Sequence, residues 1–401
     1  MSSSRLPGDI MVDILTRLPV KSILRFKCVC KSWCQLFDDI KFCKRHYDAQ
    51  KKSNNPIKIL ACKGNVLYSI DAYNSILSGA VEIGDYPFYN KNKYDKKYES
   101  ALGIVGSCNG LVCIRPTLDL FCFWNPSTKQ HKIVHKVQLL DENQTPLSWC
   151  MYGFGYDLKT QDYKLVRFES FYDITRATQT KVYSLASNSW STALHNIPYT
   201  IPCRAEQRPL YFNGALHWLT DDSKVLLSFD LGDETIREVP GPLFNNNSYR
   251  KYVDVLGGCL CITCIIPRDR GDVWVMKEYG VTESWSKVFT IPQRAINFSH
   301  FRPMEYVRNR EQILLSVRLK NTNISNVLVC YNPKRKRAEI LKIHESTDPE
   351  WLFAYTYEES LFSARHKQNS GGIFHFLEDD QVEQEEALMS KHDHKRRKIA
   401  S

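Results

Sequence analysis

The chain has 401 residues, 43% hydrophobic and 12% aromatic, an ordinary globular composition with room for a small module and one large domain. Its 54 basic and 44 acidic side chains leave a formal charge of +10, much of it in runs at Lys91 to Lys97, Lys334 to Arg337 and Lys391 to Lys398. Such runs read as solvated turns and tails, which demotes nucleic-acid binding to a weak alternative. No stretch approaches the roughly eighteen apolar residues of a membrane span, and Met1-Ser2-Ser3-Ser4-Arg5 opens without an apolar signal region, so a soluble, intracellular protein is expected.

In chain order, Ile10, Ile14 and Leu18 recur at helical spacing beside Met11 and Leu15, with Pro7 placed to open that helix and Pro19 to close it. A second helix carries Val20, Ile23 and Leu24 along one face with Phe26 and Cys30 along another, and a third carries Trp33, Leu36 and Phe37. Three short helices in about forty residues cannot bury enough surface to stand alone. Their remaining apolar faces must meet a partner or the rest of the chain.

The runs Leu6-Pro7-Gly8-Asp9-Ile10, Ile14-Leu15-Thr16-Arg17-Leu18-Pro19-Val20-Lys21-Ser22 and Arg25-Phe26-Lys27-Cys28-Val29-Cys30-Lys31-Ser32-Trp33 resemble the F-box of plant F-box proteins almost position for position. The resemblance implies a docking face for the Skp-type adaptor, through which such a protein joins a cullin and a RING subunit. By the same analogy Leu6, Pro7, Ile14, Leu15, Leu18, Pro19, Leu24, Val29, Cys30 and Trp33 line or support that contact.

Beyond the polar Lys51-Lys52-Ser53-Asn54-Asn55-Pro56 the pattern changes to short apolar runs broken by Gly, Asn, Asp and Pro, starting at Ile57-Lys58-Ile59-Leu60. One arrangement recurs: a Gly or Asn-Gly turn between apolar runs, a strand ending in an aromatic, a polar turn and a final strand. Matching positions at Tyr183, Phe229, Val275 and Tyr331 stand about 46 to 56 residues apart, the period of a four-stranded kelch-like propeller blade. Strands from Ile57 to Val81 and around Trp351 to Tyr357 then complete the ring, giving about six blades with the last built from both ends of the region. Trp124, Trp190, Trp218, Trp274 and Trp285 recur as expected for residues packed between blades, and His217 reads as a framework histidine.

These segments carry a second resemblance, to the F-box-associated domain of many plant proteins. It rests on Asn213-Gly214-Ala215-Leu216-His217-Trp218, on Gly155-Tyr156-Asp157 with Asp162-Tyr163-Lys164, and on Trp274 to Val281 leading to Ser284-Trp285. The chain is also similar to the F-box/kelch-repeat and pollen S-locus F-box groups. The expected fold is α+β and multidomain: a three-helix F-box at 1–48, a linker at 49–56, a mainly β, kelch-like propeller at 57–376 and a disordered charged tail at 377–401.

No nucleophile elbow, phosphate-cradling loop or HExxH motif occurs, and Gly153-Phe154-Gly155 lacks the third glycine of a dinucleotide site. The fourteen cysteines are scattered without paired CxxC spacing, so reduced, buried thiols are expected rather than zinc sites or a disulfide framework. No cofactor is expected. The family resemblance implies a non-catalytic substrate-recognition subunit of an SCF-type ubiquitin ligase; the alternative is a propeller that binds RNA, glycan or protein without serving a ligase. Target contacts are expected on rim loops combining aromatics with arginines, at 199–208, 245–251 and 297–302, with Arg204, Arg208, Tyr249, Arg250, His300 and Arg302 as candidates.

The tail passes from Leu377-Glu378-Asp379-Asp380 to Lys391-His392-Asp393-His394-Lys395-Arg396-Arg397-Lys398, a basic run that resembles a nuclear-import signal. Cytoplasmic and nuclear pools are therefore expected. Deleting the residues after Ser390 should lower the nuclear fraction of a fluorescently tagged chain, and an unchanged distribution would leave the run a solubilising tail.

Overall fold

A computed structural model describes residues 7–52, 57–63, 66–73, 76–77, 80–83, 103–117, 120–135, 147–171, 177–196, 199, 208–220, 222–243, 250–307, 310–320, 326–341 and 353–364. The helical module holds α1 (Gly8–Thr16), α2 (Val20–Phe26), α3 (Lys31–Asp38) and α4 (Ile40–Lys51). Pro7 and Pro19 sit immediately before α1 and α2, where a missing amide hydrogen is harmless.

Two expectations are corrected. Cys30 does not extend α2; it adopts an extended conformation as the N-cap of α3. And there are four helices rather than three. The Asp39 carboxylate accepts from the Lys41 and Phe42 amides at 2.8 and 3.1 Å, starting α4, while Phe42, Cys43, His46 and Tyr47 form a buried stripe on an otherwise charged segment.

Beyond the helical module the described residues form six antiparallel sheets and a 3-10 turn at Thr282–Ser284. Blade 1 takes Ile57–Lys63, Val66–Tyr73, Ile76–Leu77 and Val81–Glu82 from the N-terminal side and its innermost strand, Phe353–Tyr357, from far along the chain. Blade 2 holds Gly103–Cys108, Leu111–Thr117, Leu120–Trp124 and His131–His135. Blade 3 holds Leu147–Asp157, Asp162–Phe171, Ala177–Ser184 and Ser189–Asn196, and blade 4 Leu210–Phe212, Ala215–Leu219, Leu226–Asp230 and Ile236–Val239. Blade 5 holds Arg250–Leu256, Cys259–Ile266, Arg270–Met276 and Trp285–Pro292, and blade 6 Phe298–Val307, Gln312–Leu319, Val327–Asn332 and Arg337–Ile340. First strands of neighbouring blades touch all the way round, and Leu60 pairs with Tyr355 and Ala61 with Ala354 where the ring closes. The expected six blades, one of them built from both ends, are thus found, and the periodic positions Tyr183, Phe229, Val275 and Tyr331 all lie on third strands.

Tight turns join first strands to second. Asn109-Gly110 and Asn213-Gly214 have positive φ at both residues (48° and 82°, 48° and 79°), the two-residue turn whose twist matches that of a hairpin. Each seam between blades has its own core, for example Ile104, Trp124 and Tyr357 between blades 1 and 2 and Phe168, Trp218 and Phe229 between blades 3 and 4. Every fully buried side chain of this size contributes about 1.5–3 kcal/mol. The five recurrent tryptophans all belong to such seams, and His217, fully buried, bonds the Tyr279 hydroxyl at 2.7 Å.

The strand order fixes two faces. First strands end, and second strands begin, on one face; first strands begin, and fourth strands end, on the other. The helical module packs on the former, beside Asn109 and Gln161 of the first-to-second turns. The latter faces away from it.

Three buried histidines are held neutral. Burial pushes His46 down, His217 down to about 4 and His300 down to about 3, the last also repelled by Arg302 and Arg318. An unfolded histidine takes up its proton near pH 6.5, so below that the unfolded chain binds more protons and stability falls with acid, by about 1.4 kcal/mol per pH unit for each such group. The thermal midpoint should therefore drop between pH 6.5 and 5, less steeply in His217→Gln. An identical slope in that variant would remove His217 from the account.

Candidate functional site

The helical module has a core and an apolar surface. Leu15, Val20, Ile23, Phe37 and Phe42 are buried, with the rings of Phe26, Trp33, Phe37 and Phe42 in successive contact at 5.7, 5.9 and 5.2 Å. On the outside, Pro7 is exposed and Ile10 and Ile14, one turn apart on α1, are 49% and 46% exposed. In the turn between α2 and α3, Val29 is 61% exposed between exposed Cys28 and Cys30. Large apolar side chains left exposed on so small a module are of the kind that partners cover.

Of the residues expected at this contact, Pro7, Ile14, Pro19, Val29 and Cys30 are at the surface, and Leu18, Leu24 and Trp33 are half-buried behind them. Leu15, 2% exposed, can only support the contact from the core. Leu6 lies outside the described residues. Ile10 was not singled out for the contact, although its place one turn before Ile14 is legible in the sequence.

Behind this surface the module is tied to the propeller by residues 358–364, which follow the closing strand. Leu361 and Phe362 complete the helical core, Phe362 packing on Tyr47 with ring centroids 5.6 Å apart, and the Cys43 thiol points at the Leu361 carbonyl at 3.7 Å. The Tyr47 hydroxyl donates to Glu358; burial and that carboxylate push its pKa up, so it stays a donor. On the propeller side the fully buried Asn125 amide donates to the carbonyls of Ser360 and Phe362 at 3.1 and 2.7 Å. A Cβ on Gly110 would meet the Ser360 hydroxyl at 2.1 Å, so the Asn109-Gly110 turn is pressed against the strap.

The residues expected to bind a target are divided. Arg204 and Tyr249 lie outside the described residues. Arg208 and Arg302 do not project from rim loops; both reach toward the propeller axis. Arg302, already within the first strand of blade 6, donates from Nε to Asp254 of blade 5 at 2.8 Å and again from Nη2, while Arg208 donates to the Ile104 carbonyl of blade 2. Both guanidinium groups lie over the Tyr355 ring of blade 1, at 4.6 and 5.3 Å. The physical reason is Asp254: burial raises its carboxyl and Arg302 and Arg208 draw it back, so these cations are committed to the fold. Arg250 stands exposed at the start of its strand, and His300 is buried against Tyr252 at 4.1 Å, both on the face away from the helices.

Among the described residues no group of three or more His, Cys, Asp or Glu is gathered as metal ligands. Cys62, Cys113 and Cys122 are buried thiols raised by burial. Residues 58–364 match the F-box associated beta propeller domain and residues 3–45 the F-box domain. Similar proteins include the F-box/kelch-repeat protein At3g23880 of Arabidopsis thaliana, 29% identical over 73% of this chain and 80% of its own length. F-box protein CPR1 of the same plant is 29% identical over 85% of each chain. An oligogalacturonate lyase structure from Vibrio parahaemolyticus gives a TM-score of 0.41 at 11% identity, covering 72% of this chain and 80% of that one.

Exposure and burial separate two classes of substitution in the helical module. Ile14→Asp and Val29→Asp should leave stability within about 0.5 kcal/mol of the parent, as surface changes do, whereas Leu15→Asp places a carboxylate in the core and should abolish the cooperative thermal transition. Thermal denaturation of the purified variants checks this; equal losses in all three would mean that Ile14 and Val29 are structural.

Proposed function

Because the chain belongs to the F-box proteins that carry an F-box-associated β-propeller, we propose that it is the substrate-recognition subunit of an SCF-type ubiquitin ligase. The α1 surface with Val29 binds the Skp-type adaptor, and through it the cullin and RING subunits. The propeller binds the protein to be ubiquitinated. Catalysis belongs to the other subunits; this chain raises the effective concentration of target lysines near the ubiquitin-carrying enzyme. The basic tail places part of the population in the nucleus.

The observation that carries this reading is the exposed apolar row Pro7, Ile10 and Ile14 with Val29, on a module whose own core is filled from behind by Leu361 and Phe362. A module merely packed into a larger domain would turn those side chains inward.

Co-expression with a Skp-type adaptor and cullin supplies the test. The full chain should co-purify with both, and Ile14→Asp with Val29→Asp should weaken adaptor binding at least about thirtyfold, the equivalent of roughly 2 kcal/mol at a hot spot. Full binding by that folded variant would move the interface elsewhere, and no binding by the parent chain would end the ligase reading.

A further inference from the structure

On the face turned away from the helices, the seam between blades 5 and 6 opens into a shallow groove. Its lining includes Arg250, Tyr252, Ser299, His300, Arg318 and Lys320, and no carboxylate among the described residues. Arg250 and His300 come from the starts of two first strands and Arg318 from the end of the second strand of blade 6, where it pairs with His300 in register.

The groove is built rather than incidental. The ladder of blade 6 shifts register between Phe298 and His300, so Ser299 is bulged out of the pairing and its hydroxyl donates to the Arg318 carbonyl at 3.1 Å. The Lys320 amide donates to the Asn297 carbonyl at 2.9 Å, fixing the rim. The floor is the His300–Tyr252 pair, and burial keeps that imidazole uncharged, so the positive charge belongs to Arg250, Arg318 and Lys320.

The contrast with the opposite face is informative. There Lys159 and Arg237 share Asp233 at 2.8 and 2.7 Å. Arg250 and Lys320 make no ion pair among the described residues. Unneutralised cations beside a fixed aromatic floor select an anionic partner by charge.

We infer that this groove binds an acidic segment of a protein partner, carboxylate side chains or phosphate groups meeting Arg250 and Lys320 above the His300–Tyr252 floor. The inference rests on the propeller being the target-binding part and names the chemistry it takes. A peptide fits better than a nucleic acid. Tyr252, at 8% exposure, offers no open ring for base stacking.

The test uses the full chain in complex with its adaptor and four labelled probes: a peptide of alternating Glu and Ser, its phosphoserine form, its Gln counterpart and an oligouridylate of equal length. The two acidic peptides should bind, more weakly as salt rises, and Arg250→Glu with Lys320→Glu should reduce that binding at least tenfold while adaptor co-purification stays unchanged. The ratio between the two acidic peptides tells carboxylate from phosphate recognition. Equal binding of the Gln peptide, undiminished binding by the double variant, or tighter binding of the oligouridylate would overturn the inference. Loss of the adaptor by the parent chain would instead count against the ligase reading, which separates the two.

Discussion

The antiparallel pairing of Phe353–Tyr357 with Ile57–Lys63 is the contact on which the rest depends. It joins residues nearly the whole domain apart, so its formation carries the largest loop-closure cost in the chain, and everything else in the ring supports the geometry it requires. Once it forms, the next few residues are carried to Asn125 and into the helical core. Two bodies that the family descriptions treat as separate domains therefore share side chains. Leu361 and Phe362 are as much a part of the F-box as Phe37, and their loss exposes both bodies together.

A ring of sheets leaves its centre to be filled, and here polar groups fill it. Asp254 is 3% exposed and pairs with Arg302 through a single oxygen, Oδ1. Replacing the arginine would strand a carboxylate away from water, which is far costlier than never having placed a charge there. Arg208 adds a bond to a backbone carbonyl two blades away, and Tyr355 underlies both guanidinium groups. First strands of four blades, with Arg208 at the entry to a fifth, thus meet through a few side chains. Arg250 and Lys320, by contrast, stay at the rim in the seam of blades 5 and 6.

Much of this was legible in the sequence because the signals are local. Pro7 marked the start of the first helix and Pro19 its close, Asn-Gly pairs marked hairpins, and the spacing of Tyr183, Phe229, Val275 and Tyr331 counted third strands. What escaped was non-local or read from composition. Helix α4 is rich in charge, and only the Asp39 cap with the stripe from Phe42 to Tyr47 reveals it. Arg302 read as a loop anchor because its segment combines aromatics with arginines, yet its partner Asp254 comes from another sheet. Arg318 enters the groove only through its register with His300, which no spacing along the chain announces.

The dependence of the helical core on Leu361 and Phe362 also sets an order of events during synthesis. The F-box leaves the ribosome first, but the residues that fill its core follow more than three hundred positions later, a delay on the order of tens of seconds at ordinary rates of elongation. Through that interval Tyr47 and its neighbours lack their packing partners, and the nascent helices present apolar surface on two sides. A chaperone has its opportunity there, and the helical module is finished only after the propeller has closed. Completion of the propeller is in this way a precondition of a complete helical module, so a chain truncated within the propeller completes neither.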